Sequence, residues 1–368
     1  MFKSFKRNNF RFFNKSCNNN VISHDTVDKD VQSMLRPFTV MQYIMFCPRY
    51  RIKHNCITPN TAFIKFISTL VTLAFIVSTF FCARNTDFYE TFIQSTAFVC
   101  FLTVYDCATS CIRLLVVFFI TTVQTKTNIQ FVLTFQKAHN FLSNFSRFYI
   151  VCNWIFLYSN FFVYIFMYTL FTSTAGISAS KSYSFYFLIF FDSNTVYFIR
   201  MMKALEDKVI LWNSRAWSYH STGLARDEEF SKQMFQAYVN ILHSYNIHKA
   251  SFSIFILFCL IEIFTQELFY FQATIEVLKK SVKTGIFVST LICLWQSRDL
   301  TYLTLLTIQC EKFYIALQNL QDNCALILML NCADYERKLY KNVLRLHRAS
   351  FSKIRVCSLF YVDAALQL

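Results

Sequence analysis

Polar side chains occur at helical spacing inside otherwise apolar stretches of this sequence, and they are its main candidates for chemistry. Glu262 and Gln266 are four residues apart and therefore share one face of a helix. Asp106 and Asn160 also lie in apolar stretches, where a polar group is costly and usually faces the protein interior. Trp154 precedes Asn160 in a stretch crowded with Phe and Tyr. A cavity with aromatic walls and a few polar groups suits a small, partly apolar organic ligand.

Other charged residues in these stretches have simpler explanations. Lys65 and Arg113 lie near one end of their stretches, from where a long basic side chain can reach the membrane surface. Arg298 and Asp299 are adjacent, so we expect them to point in different directions. Most of the aromatic residues are expected to contact lipid or a neighbouring helix and not to line a cavity.

Enzymatic chemistry has no support in the residue patterns. The sequence contains no GxSxG, HExxH or P-loop motif. It also has no pair of carboxylates accompanied by the other residues that a catalytic site needs. Its 14 Cys are dispersed, without the CxxC or Cys/His spacing of zinc sites, which favours packing roles. We therefore expect no catalytic residues, no metal and no cofactor. The scarcity of Gly and Pro in the apolar stretches also disfavours a transporter with broken helices.

The composition predicts the elements that position these side chains. Hydrophobic residues make up 55% of the 368 residues and charged residues only 15%, against about 25% charged in an ordinary soluble domain. Three Gly and three Pro are too few for a turn-rich sandwich, propeller or barrel. The chain is therefore predicted to be an all-α, polytopic helical membrane protein.

Six segments are long and apolar enough to cross about 30 Å of hydrocarbon. The fourth is the weakest, because it is short and contains Asp192. The predicted spans are Ala62–Ala83, Ser95–Ile120, Phe148–Thr172, Tyr183–Ile199, Ser251–Thr274 and Thr284–Cys310.

Basic residues orient the predicted spans. Of the 36 Lys and Arg, 28 lie before the first span, in the even-numbered connections or after the sixth span, and five lie in the odd-numbered connections. The positive-inside rule then places the N-terminus and the even-numbered connections in the cytoplasm. The basic residues form no compact domain, so we expect a lipid bilayer as the partner of this charge and no nucleic acid.

The predicted organisation has four parts. Residues 1–61 form a cytoplasmic N-terminal segment, with an amphipathic stretch at Val31–Cys47. Residues 62–310 form the six-span bundle, and residues 311–356 form a cytoplasmic helical segment. Residues 357–368 are predicted to begin an incomplete seventh span. The spacing of apolar residues in Asp227–Tyr245 predicts a helix that extends the fifth span into the cytoplasm.

The C-terminal part contains the runs CEKFY, KNVLR, ASFSK and LFYVDAAL, and the shorter runs MQYI, YRI and ITPN precede the first span. In these runs the chain resembles the insect gustatory receptors of moths and butterflies, which belong to the insect chemoreceptor superfamily. The motif residues are Glu311, Phe313, Tyr314, Arg345, Ser350, Phe351, Lys353 and Asp363.

The resemblance implies a plasma-membrane receptor subunit of gustatory neurons with seven helices and a cytoplasmic N-terminus. Such subunits assemble as homo- or hetero-tetramers, and a tastant bound in the outer half of the bundle opens a non-selective cation pore lined by the last helix. This chain stops at Leu368 without the Thr-Tyr and Gln-Phe signature of that helix. We therefore expect six spans and a stub. An odorant receptor-type channel subunit, a G-protein-coupled receptor and a non-conducting modulatory subunit are the alternatives.

Overall fold

The computed structural model describes residues 26–83, 96–142, 147–175, 183–222, 228–280, 282–330, 332–356 and 360–363. Their secondary structure is almost entirely helical, with two short antiparallel hairpins. In chain order the described elements are α1 Lys29–Ile44, β1 Arg51–Lys53, β2 Cys56–Thr58, α2 Ala62–Ala83, α3 Thr96–Phe118 with a π-helical turn at Phe119–Val123, α4 Thr125–Leu142, α5 Arg147–Ala175, α6 Tyr183–Thr222, α7 Glu228–Lys280, α8 Val282–Met329, α9 Asp334–Ser350, β3 Arg355–Val356 and β4 Phe360–Tyr361.

Three helices are much longer than a membrane is thick. Helices α6, α7 and α8 contain 40, 53 and 48 residues. At a rise of 1.5 Å per residue they extend over roughly 60, 80 and 70 Å, at least twice the hydrocarbon thickness. The predicted helix at Asp227–Tyr245 is the first part of α7, and the segment after Cys310 continues α8. The first extension is therefore continuous with its apolar stretch, whereas the predicted segment 311–356 continues α8 only to Met329 and then forms α9 and a short strand.

The apolar parts of the helices expose large hydrophobic side chains. On α2, Phe63 is 71% exposed and Phe81 is 67% exposed, which indicates a surface in contact with lipid. Four helical stretches in the described chain are long and apolar enough to cross a membrane: Ala62–Phe81, Cys100–Val123, Arg147–Leu170 and Glu228–Lys279. The prediction of a helical membrane protein is confirmed.

The predicted fourth and sixth spans lie inside α6 and α8. Neither helix is among the four apolar stretches found in the described residues. Both carry buried charge in these parts, at Asp192 in α6 and at Arg298 and Asp299 in α8. The number of six spans therefore stays a prediction.

Helix packing in the described residues forms one large hydrophobic core and two small clusters. Helix α8 packs against α6 and α7, α4 packs against α7, and α5 packs against α6. Helix α1 lies against α5 and α6 and buries Val31, Met34 and Phe38, as the amphipathic pattern of Val31–Cys47 predicts. The less apolar parts of the long helices form one end of the bundle, which we call its polar end. Trp212 of α6, Tyr238 of α7 and other aromatic residues are fully buried there.

The C-terminal segment differs from the predicted start of a seventh helix. Within the described part of residues 357–368, Phe360–Tyr361 is a strand that pairs antiparallel with Arg355–Val356. The Val362 N–H also donates to the Ile354 carbonyl at 2.9 Å. The aromatic and β-branched residues of this segment favour pairing in a strand. Helix α9 has already ended at Ser350, so the chain enters the segment with an extended backbone.

Candidate ligand-binding site

A small cavity lies between α3, α6, α7 and α8 in the apolar part of the bundle. It offers about 40 Å³ to the centres of water molecules, which is room for a few waters or a small organic group. Five of its lining side chains are charged, and the others are mainly apolar or aromatic. The lining residues are Arg113, Phe191, Asp192, Thr195, Cys259, Glu262, Ile263, Gln266, Arg298, Asp299, Tyr302, Leu303 and Leu306.

Arg113 and Glu262 form an ion pair between α3 and α7 on one side of this cavity. Their side chains are 8% and 4% exposed, so the pair is shielded from solvent. The Arg113 guanidinium also lies 5.9 Å from the centre of the Phe191 ring. Arg113 therefore does not extend to the membrane surface as expected from the sequence. Its charge is needed inside the bundle, where Glu262 lies.

Arg298 is the centre of a second charged cluster. Its guanidinium donates to the adjacent Asp299 carboxylate at 2.5 and 3.0 Å. It also donates to the Tyr164 hydroxyl at 2.7 Å and lies 3.8 Å above the Trp295 ring. The Asp192 carboxylate is 3.8 Å from this guanidinium and accepts a hydrogen bond from Tyr164 at 2.5 Å. The expectation that Arg298 and Asp299 point apart is wrong, because the long arginine side chain folds back.

Amide and hydroxyl groups connect the cavity to α5. The Tyr302 hydroxyl, which lines the cavity, donates to Asn160 Oδ1 at 2.6 Å. The Asn160 amide nitrogen in turn donates to the Ser193 hydroxyl at 3.2 Å. Asn160 therefore fixes the orientation of a lining side chain without lining the cavity itself. The three side chains tie α5, α6 and α8 together at this level.

Two lining side chains have no protein hydrogen-bond partner within the described part of the chain. Gln266 and Thr195 are each 5% exposed, and both border the cavity. A buried polar group without a partner is costly, and it is usually satisfied by water or by a ligand. These two side chains can therefore form hydrogen bonds with a molecule in the cavity.

The predicted ligand residues divide into three groups. Glu262 and Gln266 line the cavity together, as their spacing predicts. Asn160 is one hydrogen bond away from it. Asp106 and Trp154 are outside the lining: Asp106 is a half-buried residue of α3, and Trp154 stacks on Tyr158 at 5.6 Å. Helical spacing predicts which residues share a face, but it does not determine which neighbour that face meets.

Several residues that line the cavity or contact its lining were not identified from the sequence. Tyr164 is four residues after Asn160, so extending that helix face would have identified it. Tyr302 has the same relation to Arg298. Asp192 could have been found as the single charge in an apolar segment. In the described residues no group of three or more His, Cys, Asp or Glu could hold a metal ion.

The motif residues of the C-terminal part lie together at the polar end of the bundle. Lys353 is 3.0 Å from the Asp363 carboxylate and 3.8 Å from that of Glu311. The Tyr314 hydroxyl accepts a hydrogen bond from the Ile354 N–H at 3.0 Å. The C-terminal hairpin is thus attached to the part of α8 that directly follows the predicted sixth span. Of the remaining motif residues, Phe313 is buried, Phe351 packs against Tyr245, Ser350 has its carbonyl near Asn246, and Arg345 is exposed.

These features define a helical membrane protein whose longest helices continue as a polar bundle and which encloses a charged cavity at membrane depth. No protein-family model matches the sequence, and no curated protein has a matching sequence.

Among solved structures, the fold is similar to that of the insect olfactory receptor OR5 from Machilis hrabei. The TM-score is 0.59 at 14% sequence identity, and the match covers 92% of this chain and 94% of the receptor chain. The same receptor in complex with eugenol matches with a TM-score of 0.51 at 12% identity, over the same shares of the two chains. At this identity the likeness shows a shared fold across nearly the whole chain.

Proposed function

We propose that the chain is a subunit of a ligand-gated chemoreceptor channel. The similarity in fold to an insect olfactory receptor over 92% of the chain carries this proposal. The cavity supports it, because two buried polar side chains that have no protein partner among the described residues border a space lined by charged, aromatic and apolar groups. A ligand that binds the open state more tightly than the closed state shifts the equilibrium towards conduction.

The gustatory type is our first candidate. The motif residues that resemble gustatory receptors support it, because Glu311, Tyr314, Lys353 and Asp363 form one connected cluster. In this role the ligand is a tastant, the channel conducts cations without strong selectivity, and related subunits assemble as a tetramer. The protein then functions in the plasma membrane of gustatory neurons.

An odorant receptor-type subunit is the second candidate, and the fold of the olfactory receptor supports it equally. Location of the transcript distinguishes the two. In situ hybridisation over gustatory and antennal sensilla should label neurons of gustatory sensilla. Labelling confined to antennal olfactory neurons would support the odorant type.

Current recording tests the channel mechanism. In excised inside-out patches from cells that express the chain together with related receptor subunits, which supply the pore-lining helix that the resemblance implies, we expect a ligand-evoked current that needs this chain and no added nucleotides. A response that needs GTP would instead support a G-protein-coupled receptor.

An epitope tag before Met1 should be accessible only after permeabilisation, and labelling of intact cells would contradict the proposed orientation. A chain that reaches the surface but changes only the currents of co-expressed receptor subunits would support a modulatory role.

Alanine substitution at Gln266 tests the cavity more cleanly than substitution at Glu262. Removal of Glu262 leaves Arg113 buried without its partner, so an altered response could reflect lost stability. Gln266 makes no hydrogen bond in the described part of the structure, so its truncation removes a ligand contact and little else.

A further inference from the structure

The cavity contains more negative than positive formal charge. Its lining includes the carboxylates of Asp192, Glu262 and Asp299. The basic side chains in this lining are those of Arg113 and Arg298. When all five groups are ionised, the lining has a net charge of −1.

Of the three lining carboxylates, Asp192 has the negative charge that is least neutralised by a neighbouring arginine. Glu262 is paired directly with Arg113, and Asp299 accepts two hydrogen bonds from Arg298. Asp192 is 3.8 Å from Arg298, beyond hydrogen-bond distance, and it accepts a hydrogen bond from the neutral Tyr164 hydroxyl. Its residue exposure is 6%, so solvent does little to stabilise the charge.

Water does little to screen the excess negative charge of the lining, because its charged side chains are each 13% exposed or less. Low-dielectric walls strengthen the field of an excess charge inside a cleft. The field in the cavity therefore attracts a positive charge.

The neutral groups of the lining are also suited to a cation. Gln266 and Thr195 have oxygen atoms that can accept hydrogen bonds, and neither has a protein partner in the described residues. Phe191 and Tyr302 add aromatic rings, whose faces attract positive charge within about 6 Å. These features are independent of the carboxylate count and point to the same class of ligand.

We infer that the cavity accepts a small organic cation, either a protonated amine or a quaternary ammonium group, with Asp192 as its counter-charge. This inference rests on the proposed function, because it names the ligand class of the same cavity. A neutral ligand leaves the excess charge of the cavity uncompensated, and an anionic ligand increases it.

Three probes of nearly the same shape test the charge preference. They are choline, its neutral isostere 3,3-dimethyl-1-butanol and the anion 3,3-dimethylbutanoate. Each is titrated against the full chain in lipid nanodiscs, and the melting temperature is recorded. We expect choline to raise the melting temperature at a concentration at least tenfold lower than the alcohol does, and the anion to have no effect.

Substitutions test whether the preference for a cation comes from the residues of the cavity. Asp192→Asn should weaken the effect of choline at least tenfold and leave that of the alcohol unchanged. Asp207→Asn is the matched control, because Asp207 is on the same helix but outside the cavity, paired with Lys203 at 3.1 Å. If Asp192→Asn does not fold, Gln266→Leu removes an amide oxygen whose partial negative charge can face the ammonium group, so it should weaken the effect of choline more than that of the alcohol.

The outcomes separate the ligand class from the proposed function. Equal effects of choline and the alcohol would overturn the cation preference, and the channel proposal would then depend on recorded currents alone. An unchanged response to choline in both Asp192→Asn and Gln266→Leu would also overturn the inference. No shift with any probe would remove the cavity as a ligand site, whereas a current evoked in the same protein would still support a channel.

Discussion

Arg113 on α3 and Glu262 on α7 form an ion pair inside the bundle, with both side chains less than 10% exposed. The two residues are far apart in the sequence, and each lies in a mainly apolar part of its helix. Each makes the other tolerable at this depth, because an ionised group without a partner is strongly destabilising there. The pair therefore joins two helices and forms one side of the cavity.

Removal of one partner of this pair should destabilise the protein. We predict that Glu262→Ala lowers the free energy of unfolding by about 3–5 kcal/mol, because Arg113 remains buried and unpaired. Thermal melting of the detergent-solubilised protein measures the loss. The double variant Arg113→Met/Glu262→Leu should regain most of it, since apolar side chains of similar size often replace a buried ion pair without cost. A single variant as stable as the wild type would contradict the pairing.

Arg49 should resist replacement by lysine. Its buried guanidinium lies 3.8 Å from the centre of the Tyr197 ring and donates to Asn194 Oδ1 at 2.6 Å. A lysine ammonium cannot reproduce the planar stacking, so Arg49→Lys should cost about 1–2 kcal/mol of stability. Arg36→Lys, at an exposed position of α1, is the control and should have no measurable effect. Equal melting temperatures for the two variants would show that the stacking does not stabilise the fold.

His347 should make the stability of the polar end of the bundle depend on pH. Burial lowers its pKa from 6.5 to about 4, and its Nδ1 is 2.7 Å from the Tyr238 hydroxyl. Between these two pKa values the unfolded chain binds the proton more readily, so stability falls as the pH falls from about 6.5 to 4. His139, whose pKa burial also lowers to about 4, contributes in the same range.

A melting series from pH 7.5 to pH 4.5 measures this dependence. His347→Phe should reduce the slope, because the substituted side chain cannot bind a proton. Tyr238→Phe removes the hydrogen-bond partner but keeps the imidazole, so it should retain most of the slope. Identical slopes in the wild type and in His347→Phe would contradict the assignment.

Lys353 should hold the C-terminal hairpin in place without contributing much to global stability. It is 38% exposed and lies within 4.0 Å of both Glu311 and Asp363. Exposed ion pairs contribute about 0–1 kcal/mol, so Lys353→Gln should change the melting temperature little. Hydrogen exchange of the Val362 amide should become faster in this variant, because the hairpin opens more often. Unchanged exchange would show that the backbone pairing holds the hairpin without the lysine.

The sequence predicts the class of fold better than the arrangement of the site. Apolar length, basic loops and helical spacing predict the membrane helices and the continuation of α7 beyond the apolar region. They also place Glu262 and Gln266 on one face. The partner of Glu262 could not be predicted, because the packing of α3 against α7 decides it. Arg298 and Asp299 are adjacent in the sequence and pair with each other, because the long arginine side chain folds back. Helical spacing alone did not predict this pair.

The C-terminal hairpin was also beyond prediction from the sequence. Residues 357–368 are apolar enough to suggest the start of a helix, and their aromatic and β-branched residues suit a strand equally well. The strand is favoured by two contacts with α8: Lys353 lies near Glu311, and the Ile354 N–H donates to the Tyr314 hydroxyl. Such contacts between distant parts of the chain are not encoded in local spacing.

Ligand-evoked calcium entry in cells that express Gln266→Ala together with related receptor subunits tests the central claim most directly. The matched control is Gln272→Ala, an exposed position on the same helix whose side chain contacts Glu276. With equal surface expression, Gln266→Ala should raise the half-maximal ligand concentration by about fivefold, which corresponds to one lost hydrogen bond of about 1 kcal/mol. The control should match the wild type. An unchanged half-maximal concentration in Gln266→Ala would contradict the claim that the ligand binds in this cavity.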